Sequence, residues 1–173
     1  MSAVIRNVLL LQLVGIRPIL VHGGGPEIDT WLGRLGIEKK TLDGQRITDE
    51  ETMDVVEMAL AGRANKSLVA EGQKAGGKAV GLSGRDSDLL KARVLNPALG
   101  RVGEVIAVDD HILRTLAEAG YVPVICSVAT DDAHQPLNVN ADLAASAIAS
   151  AVDASKLILL TDTDGVLADK HLS

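Results

Sequence analysis

Three consecutive glycines, Gly23, Gly24 and Gly25, follow a short apolar run and are followed at once by Pro26. Because glycine has no side chain, the backbone of such a turn can approach a ligand closely and leave its N–H groups free to bind it. A helix that begins at Pro26 would add the positive end of its dipole, which stabilises an anion. The pattern indicates an anion-binding turn, and a plain flexible turn is the alternative that the residue types leave open.

Two other nucleotide-binding patterns fit the sequence poorly. A dinucleotide-binding turn needs G-x-G-x-x-G and an acidic residue that ends the following strand. Neither is present at this turn, so a Rossmann dehydrogenase is disfavoured. Lys66 lacks the glycines of a P-loop and lies within a helical pattern, so we expect it to be structural or to face solvent.

Arg46 follows the pair Asp43 and Gly44 by two positions. Asp-Gly between two short strands is a strong signal for a β-hairpin. A guanidinium on a hairpin near a glycine turn is suited to binding a carboxylate through two parallel hydrogen bonds. Spacing alone favours the alternative, an exposed arginine without a ligand.

Asn138 and Asp142 stand four positions apart at the start of a predicted helix. Residues at this spacing share one helix face, so both side chains could reach one ligand from the helix N-terminus. The alternative is that this polar cluster only caps the helix, and the residues do not decide between the two.

A second polar turn follows the apolar run at residues 157–160. Hydroxyls and carboxylates there would lie at the carboxyl end of a strand, where open α/β sheets bind ligands. An ordinary Asp/Gly turn is the alternative. The turn comprises Thr161, Asp162, Thr163, Asp164 and Gly165.

Histidine and cysteine offer no metal site. The four histidines, His22, His111, His134 and His171, lack metal-ligand spacing. Only His22 is near the glycine turn, and a packing role at the strand end is favoured over catalysis. Cys126 is the single cysteine, so an internal disulfide is excluded. Its apolar surroundings predict a buried, inert thiol.

The elements alternate in the βα order of a parallel sheet covered by helices, which predicts one α/β domain. Few aromatics and many Ala, Val, Leu and Ile residues fit such a core. Helices are expected at residues 4–14, 26–36, 49–72, 110–119 and 140–152. Strands are expected at 18–22, 79–82, 89–94, 102–108, 122–127 and 157–160, with a polar loop from 128 to 136.

Charge and hydropathy exclude several function classes. The net charge of −6 and the lack of a basic block give no electrostatic footprint for nucleic acid or an anionic membrane. No apolar run approaches the length of a membrane span. We therefore expect a soluble intracellular protein.

Eight sequence blocks, in this order, resemble acetylglutamate kinases, most closely those of cyanobacteria, plants and green algae. The blocks are RPILVHGGGPEI, DGQRIT, GRANKSLV, AVGLSGRD, VGEV, GYVPVICSVA, NVNADLAASAIA and KLILLTDTDGVL. They cover nearly the whole chain. The resemblance implies the amino acid kinase fold, a three-layer αβα sandwich with a mainly parallel central sheet. Residues 1–173 would be one domain, with the nucleotide-binding lobe beginning near residue 157.

The resemblance also implies a role for each candidate residue. Gly23, Gly24 and Gly25 would hold the phosphoryl group and the substrate carboxylate, and Arg46 and Asn138 would bind N-acetyl-L-glutamate. Asp142 would orient the catalytic lysines. ATP, with Mg²⁺ carried on the nucleotide, would occupy a site that begins with Asp162, Thr163, Asp164, Gly165, Val166 and Leu167. The reaction would transfer a phosphoryl group from ATP to the side-chain carboxylate, a step of arginine biosynthesis.

The departures from the family pattern lie mainly at the ends. The first strand with its Lys-x-Gly-Gly motif and the second catalytic lysine have no counterparts here, and Gln45 replaces an apolar residue. We therefore expect a chain truncated at both ends and inactive alone. The alternative is a non-catalytic module that binds a ligand or a partner.

The resemblance further implies an assembly and a compartment. The helix at residues 26–36, with Trp31 on it, would form a homodimer face. Such enzymes bind a PII-type signalling protein, which is a possible partner. The compartment would be the bacterial cytoplasm or the plastid stroma.

Overall fold

The computed structural model describes residues 2–160, which form seven helices and nine strands. The helices are α1 (Ser2–Leu13), α2 (Gly25–Leu35), α3 (Glu50–Glu57), a π-helix (Met58–Ala64), α4 (Asn65–Lys74), α5 (His111–Glu118) and α6 (Ala141–Ala151). The strands are β1 (Leu20–His22), β2 (Thr41–Leu42), β3 (Gln45–Arg46), β4 (Ala79–Ser83), β5 (Leu90–Val94), β6 (Val102–Val108), β7 (Val122–Cys126), β8 (Val128–Thr130) and β9 (Pro136–Val139). Short 3₁₀ turns lie at Asp86–Asp88 and Pro97–Leu99.

The central sheet is parallel, with the strand order β1-β7-β4. Alternate residues of β7 face opposite sides, as the pleat requires. Val124 packs in the cluster formed with α1 and α4, and Ile125 packs in the cluster formed with α5 and α6. Helices therefore cover both faces of the sheet, and the predicted three-layer α/β architecture is confirmed.

Four further strands close into a small barrel, β5-β6-β9-β8, beside the sheet. It mixes antiparallel pairs, β5 with β6 and β8 with β9, with parallel ones. The predicted polar loop at residues 128–136 was wrong at its start, because β8 is a fully buried strand. Three residues are too few to show a strand period, and only pairing with neighbours makes this segment a strand.

The long helix predicted at residues 49–72 is present, but it is interrupted. Asp49 caps it as expected, since its Oδ1 accepts a hydrogen bond from the Thr52 backbone N–H at 2.9 Å. Residues 58–64 are wound as a π-helix before the α-helical pattern resumes. Such an insertion keeps the residues helical, so a 3.6-residue period does not reveal it.

The Asp-Gly hairpin forms as predicted between β2 and β3. Asp43 and Gly44 both have positive φ, at 49° and 78°, the backbone that a two-residue hairpin turn needs. The backbone N–H of Ile47 donates to Lys40 O at 2.9 Å and closes the base of the hairpin. Arg46 is thereby placed on a short, well-defined element.

The strand expected at residues 157–160 was wrong: this segment has no strand structure, and its four side chains are 44–67% exposed. An apolar run becomes a strand only where another strand pairs with it. No strand within residues 2–160 does so. The following turn, residues 161–165, lies outside the described residues. Across residues 2–160, no helix is long and apolar enough to cross a membrane.

Candidate functional site

A pocket of about 190 Å³ lies where the glycine turn, the hairpin, β9 and the start of α6 meet. It brings together the glycines, the arginine and the asparagine that the sequence singled out. Its lining residues are Gly23, Gly24, Gly25, Ile28, Arg46, Leu60, Ser127, Asn138, Val139 and Ala141. A larger pocket of about 260 Å³ lies between β6 and α6, but no charged side chain lines it. The smaller pocket is therefore the candidate site.

The glycine turn needs glycine for close packing. A Cβ on Gly24 would lie 2.7 Å from Leu60 Cδ2, and one on Gly23 would lie 3.2 Å from Ala141 Cβ. A Cβ on Gly25 would meet no atom within 4 Å. Gly24 and Gly23 thus allow the π-helix and α6, respectively, to pack closely against the turn. Gly25 faces open space, so only backbone atoms border the pocket at that position.

Two helices begin at the pocket wall. Gly25 is the first residue of α2 and Ala141 is the first of α6, and both line the pocket. Each helix is 11 residues long, and the N-terminus of a helix carries partial positive charge. The two helix N-termini therefore direct partial positive charge toward the pocket, which favours an anion there.

Arg46 adds the full positive charge. Its side chain is 12% exposed, and its Nη2 donates to Asp29 Oδ1 on α2. Its Nη1 is buried and has no hydrogen-bond partner among the described residues. Leaving a buried charged donor unpaired is costly, so this nitrogen is suited to an acceptor that a ligand would supply.

Asn138 lies at the pocket from β9 rather than from a helix. Its backbone N–H donates to Arg101 O at 2.8 Å, which fixes the strand position. Its side-chain Nδ2 makes only a long contact of 3.4 Å to the hydroxyl of Thr48. The amide is therefore held near the pocket while most of its hydrogen-bonding capacity remains for a ligand.

Asp142 does not line the pocket, and the spacing argument that paired it with Asn138 was wrong. Asn138 lies within β9, which ends at Val139, whereas Asp142 is in the first turn of α6 and is exposed. The residue between them, Asn140, is the cap: its Oδ1 accepts from the backbone N–H groups of Asp142 and Leu143 at 2.9 and 3.0 Å. Because β9 ends and α6 begins between Asn138 and Asp142, the two residues do not lie on one helix and the four-residue helical spacing does not apply.

A buried polar network supports the turn from behind. His22 Nδ1 lies 2.9 Å from Gly23 O, and its Nε2 lies 3.1 Å from Asn65 Nδ2. Because a carbonyl can only accept, Nδ1 carries the proton and Nε2 accepts from Asn65. Burial lowers the pKa of His22, and the charge of Lys66 adds to this against the opposing bond to Gly23. The imidazole is therefore neutral and structural, as predicted.

Asn65 ties this network to the sheet. It is fully buried, and its Nδ2 also lies 3.2 Å from Leu82 O and 2.9 Å from Val124 O, so its two hydrogens are shared among three acceptors. Lys66 Nζ lies 3.1 Å from both Asn65 Oδ1 and Gly81 O. Lys66 is exposed and contacts the network at the back of the turn, in agreement with the expected structural or solvent-facing position.

Several residues of the pocket wall were not predicted from the sequence. Ser127 is a buried polar residue directly after β7, the position where parallel strands present ligand-binding groups, and that signal was available. Leu60 lines the pocket from the π-helix, and no signal in the sequence predicts that helix. Ile28, Val139 and Ala141 complete the apolar part of the wall.

Other reactive groups do not contribute. Cys126 is buried, and burial raises the pKa of its thiol to about 12, so the thiol stays protonated and inert as predicted. Within residues 2–160, no group of three or more His, Cys, Asp or Glu side chains is placed to hold a metal ion. The predicted nucleotide-binding residues, Asp162, Thr163, Asp164, Gly165, Val166 and Leu167, lie outside the described residues.

The fold defines an α/β protein with an arginine-lined pocket at the glycine turn, and comparison with known proteins gives its family. The amino acid kinase family profile matches residues 1–172, and the chain belongs to this family. Curated relatives include the acetylglutamate kinases of Thermosynechococcus vestitus, 55% identical over 169 residues, and Synechocystis, 55% identical over 167 residues. The matches cover 97% and 96% of this chain but 57% and 56% of those proteins. The chain thus spans a little over half the length of these relatives.

Solved structures show the same architecture. The smu.665 protein of Streptococcus mutans superposes with a TM-score of 0.86 at 30% identity, covering 94% of this chain and 67% of that protein. An N-acetylglutamate synthase of Neisseria gonorrhoeae, solved with coenzyme A and N-acetyl-glutamate, has a TM-score of 0.79 at 24% identity. That match covers 95% of this chain and 38% of the synthase, and it bears on the fold alone.

Proposed function

We propose that the pocket binds N-acetyl-L-glutamate and that these residues belong to an acetylglutamate kinase of arginine biosynthesis. The observation that carries this proposal is the buried, unpartnered Nη1 of Arg46 in a pocket walled by the glycine turn and Asn138. An unpaired buried guanidinium nitrogen calls for an anionic acceptor. The acetylglutamate kinases that the chain resembles are named for a substrate that carries two carboxylates.

The wall chemistry supports a small dicarboxylate. Arg46 would donate hydrogen bonds to one carboxylate, and the amide of Asn138 would hydrogen-bond a polar group of the same molecule. The second carboxylate would face Gly24 and Gly25, where backbone N–H groups and the N-terminus of α2 offset negative charge. The apolar side chains of Ile28, Leu60 and Val139 would contact the carbon chain.

The proposed reaction depends mainly on how the protein positions the substrate carboxylate relative to the γ-phosphate of ATP. A side-chain carboxylate oxygen of the substrate bonds to the γ-phosphorus of ATP while the bond to the leaving ADP oxygen breaks, giving an acyl phosphate. The glycine turn would hold the acceptor oxygen in line and stabilise the charge that develops on the phosphoryl group. We propose that Asp142 orients the catalytic lysines and that ATP, with its Mg²⁺, binds at a site beginning with residues 162–167.

The 173 residues by themselves are proposed to bind substrate without turning it over. The sequence has no lysine at positions that match the two catalytic lysines of the family pattern, so charge on the transferred phosphoryl group would lack its main offset. We further propose that the nucleotide-binding lobe begins near residue 157. A second candidate, a non-catalytic ligand-binding module, is favoured by the same observation, since the pocket is built entirely from residues 23–141.

Calorimetry with N-acetyl-L-glutamate tests the proposed ligand. We expect weak, saturable binding to the chain, and Arg46→Ala should weaken it by about tenfold or more because a charge-assisted hydrogen bond is lost. Arg93→Ala is the matched control, since Arg93 is an exposed arginine paired with Glu104 on the barrel. No binding, or equal losses in the two variants, would contradict the proposal.

An ATP-consumption assay separates the kinase from the binding module. Turnover is expected from the protein that carries both lobes, and none from the 173 residues alone. Full turnover by the 173 residues would show that the lysines of the family pattern are not required. Binding without turnover in a chain that carries both lobes would favour the module.

We also propose a homodimer through α2 and a cytoplasmic location. Trp31 is half-buried on this helix, its Nε1 donates to Glu27 Oε1 at 3.0 Å, and the guanidinium carbon of Arg34 lies 4.9 Å from the ring centroid. A flat aromatic surface of this kind suits an interface. Sedimentation of the chain and of Trp31→Glu tests the dimer, and a pull-down with a PII-type signalling protein tests that partner.

A further inference from the structure

One carboxylate on α2 joins the helix to both ends of the hairpin segment. Asp29 Oδ1 accepts a hydrogen bond from Arg46 Nη2, and its Oδ2 accepts one from Lys39 Nζ at 2.8 Å. Lys39 precedes β2 and Arg46 lies in β3. The hairpin is therefore tethered to the helix that starts at the glycine turn.

Asp29 binds only one of the two terminal nitrogens of Arg46. Nη2 donates to Asp29, and the neighbouring nitrogen, Nη1, remains buried without a partner among the described residues. Because a guanidinium is planar and rigid, fixing one terminal nitrogen restricts where the other can lie. Arg46 lines the pocket, whereas Asp29 does not. The carboxylate thus lies behind the arginine and outside the space that a ligand would fill.

We propose that Asp29 is a positioning residue for the binding site: its carboxylate anchors one nitrogen of Arg46 so that the other stays free in the pocket for a ligand carboxylate. The identity of that ligand rests on the proposed function. Because Asp29 already orders the long, flexible side chain of Arg46, less conformational entropy is lost when the ligand binds.

Asp29 remains ionised while it does this. Its partial burial alone raises the pKa, but hydrogen bonds and charges from Lys39 and Arg46 outweigh that effect and lower the pKa below its ordinary value. The Lys39 side chain is 49% exposed, against 12% for Arg46. Since water screens an exposed pair strongly, the contact with Arg46 is the one expected to matter.

The first arm of the test needs no ligand. Asp29→Asn keeps the size of the side chain and removes its charge, and Lys39→Met removes only the exposed partner. The motion of the Arg46 Nε–H group is measured by heteronuclear NMR relaxation. We expect Asp29→Asn to increase that motion and Lys39→Met to leave it unchanged. If the motion of the Arg46 Nε–H group is the same in Asp29→Asn as in the unmodified chain, the proposal is overturned.

The second arm is a double-mutant cycle in the binding of N-acetyl-L-glutamate, with Arg46→Ala as the other variant. Asp29→Asn should weaken binding about fivefold when Arg46 is present and less than about twofold in the Arg46→Ala background, because two residues that act together are not additive. Equal weakening in both backgrounds would show a general structural effect and overturn the proposal. So would tighter binding in Asp29→Asn, which would make Asp29 a competitor of the ligand.

The two arms also separate this inference from the proposed function. Failure of the unmodified chain to bind N-acetyl-L-glutamate would refute the proposed ligand, and the NMR arm would still decide whether Asp29 fixes Arg46. Binding of N-acetyl-L-glutamate together with an additive cycle would retain the proposed function and refute the positioning role.

Discussion

At the scale of single residues, the chemistry of the pocket follows from what three residue types can and cannot do. Glycine lets backbone and helix ends face a ligand, arginine supplies a charge with more donors than one protein carboxylate uses, and asparagine supplies an amide. The types and order of Gly24, Arg46 and Asn138 were readable from the sequence. The unpartnered Nη1 and the part played by Asp29 were not, because both depend on contacts between distant segments.

Gly24 and Gly25 predict different responses to the same substitution. A Cβ at Gly24 would meet Leu60 Cδ2 at 2.7 Å, while a Cβ at Gly25 meets nothing within 4 Å. Leu60 is 1% exposed and has little room to move. Gly24→Ala should therefore lower the free energy of unfolding by about 1–3 kcal/mol, and Gly25→Ala by less than about 0.5 kcal/mol. Urea denaturation of both variants checks this, and equal losses would refute the packing argument.

At the level of helices and strands, the residues that end helices and form turns predicted the boundaries of these elements correctly. The Asp49 cap, the Asp43 turn and the end of α2 at Gly36, where φ is 72°, all lie where the sequence placed them. Each is a local requirement that a few neighbouring residues meet on their own. The π-helix was missed because it keeps the residues helical, and β8 was missed because a three-residue strand is defined only by its pairing with β5 and β9.

The Asp49 cap gives a prediction with a definite pH dependence. Asp49→Ala should destabilise the chain by about 1 kcal/mol at neutral pH, whereas Asp54→Ala, an exposed position on the same helix, should change it by less than about 0.5 kcal/mol. Hydrogen bonds from the Thr52 side chain and backbone lower the pKa of Asp49 below its ordinary value of 3.8. The stabilisation is therefore present above that value and is lost as pH falls through the lower folded pKa. A difference between the unmodified chain and Asp49→Ala that persists at still lower pH would contradict this.

At the scale of the whole molecule, α4 holds the sheet and the glycine turn together through one buried asparagine. Asn65 joins His22 at the end of β1 to carbonyls of β4 and β7. The parallel sheet and its helices were predictable from the alternation of the chain. This network was not, since a buried asparagine and a strand-end histidine look ordinary in sequence and acquire their roles only when three strands converge.

His22 makes the stability of the whole fold sensitive to pH. Burial lowers its folded pKa below the ordinary 6.5, with Lys66 adding to the effect. The unfolded chain thus binds a proton first, and stability present above pH 6.5 is lost as pH falls through the folded value. We expect the free energy of unfolding to fall further between neutral and mildly acidic pH in the unmodified chain than in His22→Gln. If urea titrations show the same fall in the free energy of unfolding for both chains, a neutral, partly buried imidazole is contradicted.

The glycine turn, Arg46 and Asn138 are proposed to form one carboxylate-binding site. A crystal structure of the chain soaked with N-acetyl-L-glutamate tests this proposal. We predict a ligand carboxylate within hydrogen-bond distance of Arg46 Nη1, its other end against the backbone of Gly24 and Gly25, and Asp29 still bound to Nη2. Ligand density elsewhere, for example in the groove between β6 and α6, with Arg46 Nη1 still unpaired, would contradict the claim.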